Sequence, residues 1–201
     1  MATLSSSATL AGMERAGAWA RPLSLVAALA LIVGVTLTGL NLLLWGWTVY
    51  AVGHVAAIAA LVAVGAANRG RMDPWAWTGL LVFVLGLVLA LPQVAAIWQG
   101  YAATNAGREM ELPVWTAPLG LTAELVTWVG AAFFGLAARG ARALPRGVGW
   151  LLLIAAVIGI VAALNIVSPY AWVLAELVMA IGLLGVGVSL RQPAARLAHN
   201  G

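Results

Sequence analysis

The stretch APLGLTAELVTWVGAAFFGLAAR, residues 117–139, decides the fold. From Ala117 to Ala138 it is apolar or small except for two threonines and one acid, Glu124. At 1.5 Å per residue such a run spans about 30 Å of helix, the thickness of a bilayer's hydrocarbon core. It therefore reads as a transmembrane helix closed at one end by Arg139. An acid at the centre of such a helix costs roughly 2.5–3.5 kcal/mol on insertion scales, so Glu124 is a functional candidate by default.

Two other segments carry the same pattern. Glu124, His54 and Glu176 are each followed eleven residues later by glycine (Gly135, Gly65, Gly187) and fifteen residues later by arginine (Arg139, Arg69, Arg191). The tetrapeptide Ala-Glu-Leu-Val recurs at 123–126 and 175–178, and a small residue stands six positions after each ionisable group (Ala60, Gly130, Gly182). An eleven-residue step returns to within about 20° of its starting face and lies about 16 Å further along the helix. Ionisable group and glycine thus share one stripe, on which glycine admits a close neighbour or leaves space below the polar group.

Working outward, the chain offers six apolar runs: Leu23–Leu44, Trp47–Ala67, Trp75–Trp98, Ala117–Ala138, Gly147–Val167 and Ala171–Leu190. They pair as three sequential hairpins (22–68, 74–139 and 146–191), preceded by a short tail over 1–21 and followed by another over 192–201. The expected fold is an all-α integral membrane protein of six transmembrane helices, three helical hairpins in a pseudo-threefold bundle. All copies begin on the same side, so the axis lies along the membrane normal, and an inverted repeat is excluded. The first apolar run is longer than the roughly 7–15 residues of a secretory signal's core, so it reads as an uncleaved first helix.

The remaining composition agrees. With 64% hydrophobic and 8% charged residues, and a mean hydropathy of +1.04, the chain is not a soluble globular domain. All ten basic residues are arginine. If six helices alternate, Arg15, Arg21, Arg69, Arg71, Arg139, Arg142, Arg146, Arg191 and Arg196 fall on one side, and Arg108 alone on the other. The positive-inside rule then places both termini in the cytoplasm of a bacterial-type plasma (inner) membrane. The formal charge of +4 reports this orientation; no clustered basic face points to nucleic acid. Trp19, Trp75, Trp77 and Trp150 read as an inner interfacial belt, and Trp45, Trp47, Trp98, Trp115 and Trp172 as an outer one, with Trp128 alone deep in its helix.

Each hairpin also offers an amide near the outer end of its first helix: Asn41, Gln93 and Asn165. Three ionisable groups and three amides thus form one expected polar layer, the ionisable ones roughly 8–10 Å below the outer surface. Paired buried carboxylates can bind a cation or relay a proton; the bland alternative is a hydrogen bond between helices. His54 completes a His/Glu/Glu set suited to a divalent metal, or serves as a titrating switch, against the plain reading of a packed histidine. The amides read as interhelical glue or as orienting groups around the layer. Pro92 beside Gln93 is expected to kink the third helix and free a carbonyl. The loop Gly100–Thr116, with Arg108, Glu109 and Glu111, either covers the mouth of the layer or is a solvated connector. Ser168-Pro169-Tyr170 reads as a tight turn.

Much chemistry is excluded. Without lysine there is no Schiff base, without cysteine no disulfide or iron–sulfur ligation, and one membrane histidine cannot ligate haem from both sides. Phosphate-cradling loops, nucleophile elbows and His-Glu-x-x-His sequences do not occur. No cofactor is predicted, a divalent metal at the His54/Glu124/Glu176 set being kept only as a lesser alternative. Three functions remain. The leading one is binding or translocation of a small ion, proton or solute through the His54/Glu124/Glu176 layer. Another is a structural or regulatory subunit in the lipid bilayer, packing against a membrane protein partner or a second copy through Ala56, Ala60 and Ala63. The third is a membrane enzyme acting on a lipid or isoprenoid, with the carboxylates as general acid and base.

Overall fold

The computed structural model describes residues 3–141, 143–164 and 170–189, with side chains from 18 to 188 within those ranges. Asn165, Arg142, Ser168, Pro169, Arg191, Arg196 and the 192–201 tail lie outside the described residues. Among the described residues there are six helices and no strand: α1 (Thr3–Gly39), α2 (Leu43–Ala67), α3 (Pro74–Asn105), α4 (Thr116–Gly140), α5 (Arg146–Ala163) and α6 (Ala171–Ser189). All six contain a stretch long and apolar enough to cross a membrane. Their outward faces bear large exposed side chains such as Leu29, Val33, Leu81, Leu85 and Ile154. Apolar residues inside and outside alike are the mark of a bundle whose solvent is lipid. The chain is an all-α membrane protein.

Each helix packs on its neighbours in sequence, and α6 returns to pack on α1, so the six close into a ring. Short connections make consecutive helices antiparallel. One end, here called distal, carries the α1–α2 turn and the α3–α4 loop; the proximal end carries the connections Asn68–Asp73 and Ala141–Pro145.

Glycine sets how closely the helices approach. Between α1 and α2, a Cβ on Gly34 would stand 2.7 Å from the Tyr50 backbone nitrogen, and one on Gly53 2.9 Å from that of Leu31. Gly130 on α4 presses just as directly on the Phe83 backbone of α3. In the third hairpin Gly182 meets α5 only through side chains, the nearest at 3.4 Å. The patterned glycines Gly65, Gly135 and Gly187 all lie on seams between successive hairpins, against Leu80 and Trp77 of α3, Gly149 of α5, and Leu25 and Arg21 of α1. Several threonine hydroxyls are satisfied within their own helices, as when Thr38 donates to the Gly34 carbonyl at 2.9 Å and Thr48 to that of Leu44 at 2.7 Å. This removes polar groups that lipid cannot solvate.

The proximal connection is capped by side chains. Asp73 accepts from the Ala76 amide at 2.8 Å with Pro74 at the first helical position, and buried Asn68 donates to the Val64 carbonyl at 3.0 Å. Arg139 lies 4.4 Å from the centre of the Trp150 ring, tying α4 to α5 at the same end.

The elements depart from the sequence reading in several places. Helix α1 begins at Thr3 rather than near Leu23; the stretch read as a loose tail is rich in alanine, the strongest helix former. Helix α3 runs on to Asn105, shortening the distal loop to 106–115. Pro92 lies inside this helix and is exposed, while Gln93 beside it is half-buried. The α1–α2 turn lies at Leu40–Leu42 rather than at Trp45-Gly46. Gly46 is buried within α2 against Thr38.

Asn41 is the pivot of that turn. It is exposed and, at φ 64°, the one non-glycine residue with positive φ among the described residues. Asparagine tolerates this left-handed geometry after a helix, whereas a β-branched residue does not. Asn41→Val is expected to destabilise the protein by about 1–2 kcal/mol, and Asn41→Gly to be nearly neutral. Thermal unfolding in detergent checks both.

Candidate functional site

A partly enclosed cavity of about 250 Å³ lies between α2, α3, α4 and α6, in the distal half of the ring. Helix α2 contributes Trp47, Tyr50 and His54; α3 contributes Ala90, Gln93 and Val94; α4 contributes Glu124, Thr127 and Trp128; and α6 contributes Trp172 and Glu176. The three ionisable residues of the sequence pattern therefore share one cavity with Gln93. Asn41 does not join them, being exposed in the α1–α2 turn. It is not an orienting amide of this site. His54 sits about 16 Å along α2 from Leu43, deeper than the expected 8–10 Å, because the turn falls earlier and α2 starts at Leu43.

Burial grades the three ionisable groups. His54 is 3% exposed and Glu176 6%, while Glu124 is only half-buried. The Tyr50 phenol, on α2, donates to Glu176 Oε1 of α6 at 2.9 Å, a bond across the ring. Glu176 Oε2 and Trp47 Nε1 are both buried without a hydrogen-bond partner among the described residues. Such orphaned groups are uncommon, and each calls for an explanation. His54 Nδ1 lies 3.4 Å from the Tyr50 carbonyl, long for a hydrogen bond. Its ring packs on that of Tyr50, with centroids 4.4 Å apart.

Aromatic rings make up much of the wall. Tyr50 stands nearly perpendicular to Trp47, with centroids 5.4 Å apart, and to Trp172 at 6.4 Å. Glycines of neighbouring helices seat the rest of the lining. Gly34 presses on Tyr50, Gly86 on Thr127, Gly120 on Gln93 and Gly159 on Trp128, each closely enough that an added Cβ would displace its neighbour. The cavity's shape is thus set by backbone positions in α1, α3, α4 and α5.

Sequence reasoning missed Tyr50, Thr127 and the tryptophans. Trp47 and Trp172 were assigned to the outer interfacial belt, yet both are half-buried and face the cavity. A signal was present at one-turn spacing: Tyr50 precedes His54 by four residues, Trp172 precedes Glu176 by four, and Trp128 follows Glu124 by four. Residues four apart share a helix face. Ala56, Ala60 and Ala63, read as a face for a protein partner, are buried within the chain at 8%, 0% and 3% exposure. That face packs internally and is not free for docking.

The distal loop contributes no residue to the cavity lining. Arg108, Glu109 and Glu111 are exposed and outside the lining, while Met110 and Leu112 fold back on Gly100. His54, Glu124 and Glu176 line one cavity, but no group of three histidine, aspartate or glutamate residues among those described converges closely enough to hold a metal ion. The ligand set expected for a divalent metal is therefore not assembled here. No protein-family model, curated protein or solved structure matches the chain. The site must be read from its own chemistry: two carboxylates, an imidazole and an amide in an aromatic-walled intramembrane cavity.

Proposed function

We propose that this membrane protein binds a small cation in the cavity, in competition with protons. Glu124 and Glu176 supply the negative charge and His54 a third ionisable wall. One observation carries the reading. Glu176 is buried in the cavity wall with one oxygen held by Tyr50 and the other without a partner. An acid kept only for packing would be expected to have both oxygens satisfied. A half-held carboxyl beside a second, unpaired one is suited to receiving a ligand.

The arginine distribution supports an orientation. Arg21, Arg69, Arg71, Arg139 and Arg146 lie toward the proximal end and Arg108 in the distal loop, which by the positive-inside rule puts the cavity in the outward-facing half of a bacterial-type inner membrane. The seam positions of Gly65, Gly135 and Gly187 support reading the chain as three related hairpins. Sites at the interface of membrane repeats are a common arrangement in transporters, and translocation is the function this arrangement would serve.

Cation and proton compete for the same carboxylates, so cation binding weakens as pH falls and the acids are protonated, and strengthens as pH rises. A ligand at 100 times its dissociation constant stabilises the folded state by about 2.7 kcal/mol. Sodium or ammonium ions are therefore expected to raise the unfolding temperature at alkaline pH, and to do so less at acid pH. The effect should vanish in a Glu124→Gln/Glu176→Gln double variant. Equal stabilisation of that variant would remove the reading.

A further inference from the structure

We infer that the cation this cavity takes is a small alkylammonium ion, which is held on one side by the carboxylates and on the other by aromatic rings. The inference rests on the cation-binding reading above and adds the chemical class. Two features of the lining select that class. First, the acids do not assemble with a third ligand into a metal-binding group among the described residues. A bare ion stripped of its water needs such a set of close oxygen or nitrogen donors. Second, Trp47, Tyr50 and Trp172 meet nearly at right angles, with Trp128 also in the lining. Aromatic side chains bind a diffuse positive charge through their π faces, and they suit alkyl groups that a small hard ion lacks.

Charge and size narrow the class further. Glu176 lines the cavity and its Oε2 is a buried acceptor without a partner among the described residues; a cation bound beside this side chain would offset that unmet charge. Glu124 lines the same cavity, so a single positive charge has a carboxylate on α4 and another on α6. A volume of about 250 Å³ lies just below the roughly 300–1,000 Å³ of pockets for drug-sized ligands. The fit is to an amine carrying a few carbons.

The test is a series of equal charge and rising alkylation, applied to the full chain in nanodiscs by titration calorimetry: sodium, ammonium, methylammonium, tetramethylammonium and tetrabutylammonium chlorides. Tetramethylammonium is expected to bind at least about tenfold tighter than sodium, and tetrabutylammonium, too large for the cavity, to bind weakly. Trp172→Leu should lower tetramethylammonium affinity about tenfold and leave sodium affinity unchanged, while Trp172→Phe, which keeps a ring, restores most of it. Sodium binding as tightly as tetramethylammonium would overturn the alkylammonium assignment and leave the cation site standing. Failure of every cation to bind would remove both. If Trp172→Leu does not fold, the ligand series on the unaltered protein decides the matter by itself.

Discussion

Glu176→Gln is expected to weaken cation binding by about 30-fold to several thousand-fold while leaving the amount of folded protein nearly unchanged. The range corresponds to the roughly 2–5 kcal/mol lost when one partner of a buried charge interaction is neutralised. The fold should survive because glutamine has the same shape and keeps a carbonyl oxygen to accept from the Tyr50 phenol, the 2.9 Å bond that links α2 to α6. What it removes is negative charge at the buried, unpartnered oxygen. Glu124 is half-buried and meets more of its surroundings, so Glu124→Gln should cost less. Tyr50→Phe should do the reverse of Glu176→Gln. It leaves the charge in place but frees a second buried oxygen, so its larger effect is on stability, about 1–3 kcal/mol. Titration calorimetry with thermal unfolding of the same preparations separates the two quantities. If Glu176→Gln unfolds the protein and the remaining folded fraction binds cations normally, Glu176 is a structural hydrogen bond and nothing more.

The second large effect is expected at the α3–α4 seam. Gly130→Ala places a methyl group against the Phe83 backbone, inside the distance real Cβ atoms keep. Neither partner can rotate away, since the obstacle is main chain, so the two helices must separate. Overpacking of this kind typically costs about 1–3 kcal/mol, occasionally more. It must also outweigh the roughly 1 kcal/mol by which alanine is the better helix former. Gly182→Ala is the matched control. Its added methyl would meet only Leu152 and Leu151 side chains, the nearest at 3.4 Å, so helix propensity should make it neutral or slightly stabilising. A seam that separates at Gly130 also disturbs the Gly86–Thr127 and Gly120–Gln93 contacts that shape the cavity. Gly130→Ala should therefore lose cation affinity together with stability. Equal unfolding temperatures for the two variants would contradict the packing account.

The residues most visible in the sequence were those that lipid makes expensive. His54, Glu124, Glu176 and Gln93 stand out in apolar runs, and all four face one cavity. Six membrane-crossing helices were legible for the same reason, since length and hydropathy alone identify them. Rotation about each helix was not legible. When every face is apolar, hydropathy carries no information about which side turns inward. Trp47 and Trp172 near helix ends thus looked like interfacial anchors although they face the cavity. The glycines posed a similar ambiguity. Gly46 could mark a turn or a close approach, and only its position against Thr38 separates the two. Asn41 lies in the turn and outside the cavity lining, since an amide near a helix end serves equally as a buried donor or as the left-handed residue that ends the helix. No metal-binding group is assembled among the described residues. Spacing placed His54, Glu124 and Glu176 on matched stripes, but a shared stripe does not fix how far apart three side chains end up across a ring.

The central claim is that the Glu124 and Glu176 carboxyl groups bind a cation inside the membrane. Cation-induced difference infrared spectroscopy of the protein in nanodiscs tests it most directly, with tetramethylammonium and sodium as probes and the two Gln variants as controls. The account predicts that cation binding changes the carboxyl bands of the unaltered protein, and that the change shrinks in each single variant and is absent in the double variant. Carboxyl bands indifferent to every cation at every pH would contradict it.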